Sequence, residues 1–291
     1  MAIADTVKEF IINGVSSLDD SVTQISNILK TDVFATYWNG SGGEINPFGT
    51  IINSFYPCTL NLAYTIIAAF FFVDFIKTTM KMDIMRVEYG LTCFFKFVFA
   101  RVAIEASTRL MAAFLATATS WINYAMSINV SNSSDTFSHI CSTAITTIWE
   151  DLETIEAVLM FGIMLIPILF IKIVGVVGIV LAYTRHFELT MYHCIFPLPC
   201  AGIVLDDSRM TKRFFLSYFA TALQGVFMIL TIKIYEAMLT ASFSNLISNA
   251  AGDTNISQIM NMGFNMMIAS MVLLTGLMKS GRWAEKVLDV G

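Results

Sequence analysis

The sequence predicts an all-α, polytopic membrane protein, and three observations carry that prediction. Hydrophobic residues make up 56% of the 291, while 13% are charged, about half the charged share of a soluble domain. The mean hydropathy is +0.70. Residues 157–171, AVLMFGIMLIPILFI, continue past Lys172 to Ala182, long enough as a helix to cross roughly 30 Å of hydrocarbon.

Two regions follow from the pattern: 1–50, an exterior amphipathic helix with a connector, and 51–291, a transmembrane bundle ending in a short cytoplasmic helix. In the first, Ile3, Val7, Phe10, Ile11, Val15, Leu18, Val22, Ile25 and Leu29 recur at steps of three and four, the period of an amphipathic helix that Gly14 weakens slightly. Its polar side carries Asp5, Glu9, Asp19 and Asp20, unlike the basic faces of membrane-surface helices. The apolar face is therefore expected to meet another protein or a neighbouring copy. Residues 37–49, YWNGSGGEINPFG, read as a Gly-rich connector with interfacial aromatics. No basic region, apolar core and small-residue cleavage site open the chain, so the first span is expected to direct insertion itself.

Five runs read as spans: about 51–76, 92–126, 157–184, 214–240 and 259–279. The connection at 77–90 carries Lys77, Lys81 and Arg86, whereas 127–156 has no Lys or Arg but holds Asp135, Glu150, Asp151, Glu153 and Glu156. Arg185, Arg209, Lys212 and Arg213 follow, then 241–258 again lacks basic residues, and the tail carries Lys279, Arg282 and Lys286. Basic and non-basic connections alternate, which places the N-terminus outside and the C-terminus in the cytoplasm of a cell membrane.

The stretch FPLPCAGIVLDDSRMTKRFF, 196–215, joins two spans on their cytoplasmic side. It cannot cross, so 186–205 is expected to form a re-entrant or interfacial helix broken by Pro197 and Pro199, which lack backbone donors. Non-helical backbone at membrane depth persists only under a cover of protein or lining a cavity, so burial between helices or subunits is expected.

Charges inside the bundle are the candidate functional features. Arg101, Glu105 and Arg109 share one face at i,i+4 spacing. They read either as the lining of a polar conduit or subunit contact, or as a helix protruding into the cytoplasm with the membrane beginning near Leu110. Lys172, mid-span, is expected to find a bundle partner or an aqueous cavity. Gly175, Gly178 and Ala182, like Ala112, Ala116 and Ser120, offer small faces for helix contact. Lys233 and Glu236 are spaced to pair at i,i+3. Methionines 260, 262, 266, 267, 271 and 278 read as adaptable packing.

Catalytic signatures are absent. His186 and His193 share a face beside Cys194 without an HExxH or paired-carboxylate arrangement, so no metal or other cofactor is expected. There is no GxxxxGK[ST] or GxSxG motif. The cysteines (58, 93, 141, 194 and 200) form no CxxC pair and mostly read as small buried hydrophobes. Sequons at Asn39, Asn129, Asn132 and Asn255 fall in predicted exterior segments. The protein is not expected to be an enzyme.

FPLPCAGIVLDD followed by TKRFFLSYFATALQGVFMILTIKIYEAML, with the closing MKSGRWAEKVLDVG, resembles the TrbL-type polytopic inner-membrane component of conjugative type IV secretion systems. The shared pattern is a Pro-containing stretch, a polar turn, then a helix with a basic and aromatic entry and a mid-helix Gln, here Gln224. The resemblance covers about the last 110 residues and extends to the rest by topology. It implies a channel and assembly component that forms homo-oligomers around the path of single-stranded DNA with its relaxase. The partners it implies are other secretion-system membrane proteins and cytoplasmic ATPases. On this reading Pro197, Pro199 and Gln224 serve assembly, and Arg101, Glu105, Arg109 and Lys172 are polar bundle contacts. The alternative is a small-solute transporter or ion channel. One broken segment and five spans do not divide into the inverted halves of a secondary transporter.

Overall fold

The computed structural model describes residues 2–30, 47–80, 87–128, 142–143, 145–146, 154–204, 209–249 and 256–289. Its elements are α1 (Ala2–Lys30), α2 (Pro47–Met80), α3 (Val87–Glu105), α4 (Ser107–Ser127), α5 (Thr154–Ile195), α6 (Pro197–Ala201) with a 3-10 turn at Gly202–Val204, α7 (Arg209–Asn249) and α8 (Ile256–Val287). The fold is all-α, with no strand among the described residues. The connector at 37–46, the four sequon asparagines, His139, Cys141 and the acidic residues 135, 150, 151 and 153 lie outside the described residues.

Four of the described helices, rather than five, are long and apolar enough to cross a membrane: Ile51–Lys77, Phe161–Ile195, Arg209–Ala241 and Gly263–Val287. The run at 92–126 is divided at Ala106 into α3 and α4, and Lys96, Arg101, Glu105 and Arg109 interrupt its apolar character. Backbone hydrogen bonds still cross the division, from Ala106 N to Val102 O at 2.8 Å and from Leu110 N to Ala106 O at 3.0 Å.

The chain forms two compact units. The first comprises Met1–Lys30, Trp121–Thr184 and Gly225–Ser280, and its core joins Ile11, Ile25 and Leu29 of α1 to Ile168, Ile171 and Val174 of α5, Ile229 and Ile232 of α7, and Leu273 and Leu277 of α8. The expectation that α1 turns its apolar face to another protein is thereby corrected, because that face is buried against the chain's own α5. A Cβ added to Gly14 would lie 2.6 Å from Ile168 Cγ2, one on Gly175 2.6 Å from Ser21 Oγ, and one on Gly178 2.7 Å from Ile25 Cδ1. Contacts advance in the same order along both helices, so α1 and α5 run parallel and seat each other's side chains in glycine notches. Gly14, which looked like an interruption, is one of those notches.

Hydroxyls in this apolar setting are mostly satisfied within their own helices. Thr231 Oγ1 donates to Phe227 O at 2.8 Å, Thr240 Oγ1 to Glu236 O at 2.8 Å and Ser270 Oγ to Met266 O at 2.8 Å. Pro167, inside α5, is accommodated by Gly263 of α8, whose added Cβ would sit 3.5 Å from the proline ring.

The second unit comprises Thr31–Ser120, Arg185–Gln224 and Gly281–Gly291. Its core includes Ala63 and Ile67 of α2, Ala100 and Ile104 of α3, Met111 and Leu115 of α4, Leu189 of α5, Phe196, and Tyr218 of α7. The small element α6 with its 3-10 turn packs against α2 and α3.

Candidate functional site

The proline segment occupies the centre of the second unit, as a shorter element than expected. Residues 186–195 are the last turns of the 42-residue α5, not part of a separate re-entrant helix. Only 197–204 fold apart from it, and Phe196 at the junction keeps helical dihedrals (φ −50°, ψ −37°). The prolines therefore remove donors without reversing the chain, since Pro197 stands at the first helical position, where its missing N–H is tolerated. Pro197 and Pro199 are both buried, as the sequence predicted. Hydroxyls from other helices take carbonyls at this junction: Thr59 Oγ1 donates to Cys194 O at 2.7 Å and Thr211 Oγ1 to Pro199 O at 2.6 Å. Aromatic rings close around it, with Phe196 centroids 5.7 Å from Phe214 and 5.1 Å from Phe215. Phe214 and Phe215, in the second turn of α7, thus cover the start of the proline element.

Burial pushes the Cys200 thiol up to about 12. Alkylating reagents attack the thiolate, so from an ordinary value near 9 the reactive fraction falls about a thousandfold. Cys200 is expected to stay unlabelled by N-ethylmaleimide between pH 7 and 8 and to label fully on unfolding, read by mass spectrometry. Rapid labelling in the folded protein would contradict the buried placement. The unfolded thiol ionises first, so the contribution of Cys200 to stability is whole below pH 9 and is lost as pH rises towards 12.

Beside this junction lie further polar side chains, of which Gln224 is a residue the sequence singles out for assembly, while Arg185, Tyr218, Tyr56 and Asp74 are not among its candidates. Arg185, 3% exposed, donates from Nε to Thr221 O at 3.0 Å and from Nη2 to Ala222 O at 3.0 Å. Tyr218 Oη donates to Met111 O at 3.1 Å, and Tyr56 Oη and Ser107 Oγ are hydrogen-bonded at 2.9 Å. His193 Nδ1 is 2.7 Å from Leu189 O. Gln224, half-buried, lays its amide over Gly281, where an added Cβ would be 3.5 Å from Nε2. Asp74 of α2, buried at 6%, has Lys96 Nζ at 4.0 Å and accepts from Cys93 Sγ at 3.5 Å. An aspartate in an apolar helix, with a lysine in the apolar helix that follows, is a readable signal that is easily missed because Asp74 stands close to the connection between them.

The charges of the second predicted span and Lys172 point outward from this chain and meet none of its own core. Arg101 Nε and Glu105 Oε1 pair at 3.2 Å, with side chains 61% and 54% exposed, and Arg109 is also exposed. Lys172 is exposed within the outward stripe of Leu165, Leu169, Val176 and Val180, and among the described residues no ion pair includes it. Helical spacing shows that these charges share faces, but only packing decides which faces turn inward. The two small faces also differ: Gly175, Gly178 and Ala182 are buried, whereas Ala116 and Ser120 are exposed. Lys233 Nζ and Glu236 Oε2 do pair, at 2.9 Å.

Among the described residues no three His, Cys, Asp or Glu side chains are grouped to hold a metal ion. A helical chain with four apolar spanning helices, internally satisfied hydroxyls and buried polar side chains is a membrane-embedded protein with transmembrane helices. Compared with known protein families, curated protein sequences and solved structures, the chain matches none.

Proposed function

We propose that this protein is a channel-wall and assembly component of a conjugative type IV secretion machine, oligomerising around the substrate path in the cell membrane. On this reading its N-terminus lies outside, its C-terminus lies in the cytoplasm, and α3 with α4 makes a fifth crossing. The basic connections face the machine's cytoplasmic ATPases. The conduit passes single-stranded DNA with its relaxase. The observation that carries the reading is the placement of α1. It lies parallel along the most apolar spanning helix, yet its outer stripe of Glu9, Asn13, Asp20, Gln24 and Asn27 is polar and exposed. A polar stripe held beside a spanning helix needs water or another subunit opposite it, which is the requirement of a conduit wall. The resemblance of about the last 110 residues to the TrbL type supplies the kind of conduit.

A mild-detergent pull-down of the tagged protein from its host, with mass spectrometry of co-purifying proteins, tests this. Recovery of a transfer ATPase and envelope components is expected. A Glu9→Leu/Asn13→Leu/Asp20→Leu variant is expected to retain those partners while losing DNA transfer. A lone homo-oligomer in the pull-down would instead favour the small-solute transporter or ion channel.

A further inference from the structure

A second polar site lies within the first unit, at the C-terminal end of α1, where Asn27 of the polar stripe borders it. A half-open cavity of about 210 Å³ lies between α1, α4 and α7. On one side its walls are aliphatic, including Ile229 and Ile232, but its polar lining is concentrated in Thr23, Ser26, Asn27, Lys30, Lys233 and Glu236. Ser26 is only 6% exposed, and among the described residues neither its hydroxyl nor that of Thr23 is hydrogen-bonded. This sets them apart from the serines and threonines of α7 and α8 that return their hydroxyls to their own helices. Both hydroxyls open onto the cavity, so water or a bound group inside it is what accepts their protons.

The charge balance indicates what that group is. Lys233 and Glu236 are paired at 2.9 Å and about three-quarters buried, so their charges largely cancel. Lys30 adds a further cation, and among the described residues no ion pair includes it. Two hydroxyl donors and an uncompensated ammonium beside an aliphatic wall suit an oxyanion carried by a partly apolar molecule. Lys233 and Glu236 also lie within the last three turns of the candidate span Arg209–Ala241.

We propose that this cavity binds a phosphoryl group, its oxygens held by Thr23, Ser26, Lys30 and Lys233, with Glu236 holding Lys233 in place. Either a phospholipid or a soluble phosphoester presents that chemistry. This site does not depend on the conduit reading.

Native mass spectrometry of the full chain, delipidated in detergent and titrated with phosphatidylglycerol, tests the proposal, with glycerol 3-phosphate as a competitor. One phosphatidylglycerol per chain is expected to survive at activation energies that strip bulk lipid. The Lys30→Gln/Lys233→Gln variant is expected to weaken retention about tenfold or more. Ser26→Leu, which fills the cavity and leaves every charge in place, is expected to abolish it. Lys172→Gln, which removes an exposed lysine elsewhere, is expected to change nothing. Circular dichroism melts identify any variant that has lost its fold, and the Ser26→Leu and Lys30→Gln/Lys233→Gln arms fail independently of each other. Retention that resists glycerol 3-phosphate assigns the site to lipid, and displacement at similar concentrations assigns it to a soluble phosphoester. Lipid retention unchanged in both cavity variants overturns the proposal.

Discussion

Gly276→Ala is expected to destabilise the protein by about 1–3 kcal/mol, the usual cost of overpacking a well-filled helix contact. The added methyl would overlap Thr231 Cγ2, and that methyl cannot swing aside. Thr231 is β-branched, so its χ1 choices are few, and its hydroxyl is already committed to Phe227 O at 2.8 Å. Relief therefore requires α8 to move away from α7, which opens the contact along its length. Thr231→Ser removes the obstructing methyl and keeps the hydroxyl. The double variant Gly276→Ala/Thr231→Ser is thus expected to recover to within about 0.5 kcal/mol of the parent, with a coupling energy of roughly 1–2 kcal/mol. Thermal unfolding in detergent measures all four corners of the cycle. Additive single effects would mean that the close approach of the two helices is not what Gly276 provides.

Arg185→Ala is expected to have the larger effect, about 2–4 kcal/mol, because it combines two losses. One is the pair of hydrogen bonds from the guanidinium to Thr221 O and Ala222 O, donors that are worth more than neutral ones. The other is the cavity left by a side chain that is 3% exposed. Opposing both is the release of a buried charge, which by itself favours substitution. Arg185→Met separates the terms, since it restores most of the volume without the charge, and it is expected to recover about half of the loss. Arg185→Lys, a point donor in place of a fork, reaches one carbonyl at a time and is expected to fall between. An Arg185→Ala protein as stable as its parent would show that desolvation cancels both contributions.

Arg185 also shows the limit of reading charge from sequence. It was counted only as one more basic residue of a cytoplasmic connection, because the positive-inside pattern treats every Lys and Arg near a helix end alike. In the structure α5 runs on without interruption to Ile195, so Arg185 lies inside a helix and is buried against α7. Lys172 went the opposite way: its mid-span position suggested an inward partner, and it faces outward. Asp74 was legible and overlooked. The proline pair was read correctly as buried, whereas its effect on the backbone was overestimated, because Pro197 falls where a helix can begin.

Local physics written into the sequence determined a good deal by itself. Hydropathy and length determined that the protein is helical and membrane-embedded, and steps of three and four determined that α1 has one apolar face. The i,i+3 and i,i+4 spacings determined the Lys233–Glu236 and Arg101–Glu105 pairs, since partners on one helix turn need no tertiary information. What only the tertiary structure decided is which surface meets which. A glycine in a sequence is a gap of unknown use. It becomes a notch at Gly14, Gly175, Gly178 and Gly276 only when a particular side chain from another helix fills it. The direction a helix face takes depends on packing across the chain, and helix periodicity is the same whether a face turns towards protein, lipid or water.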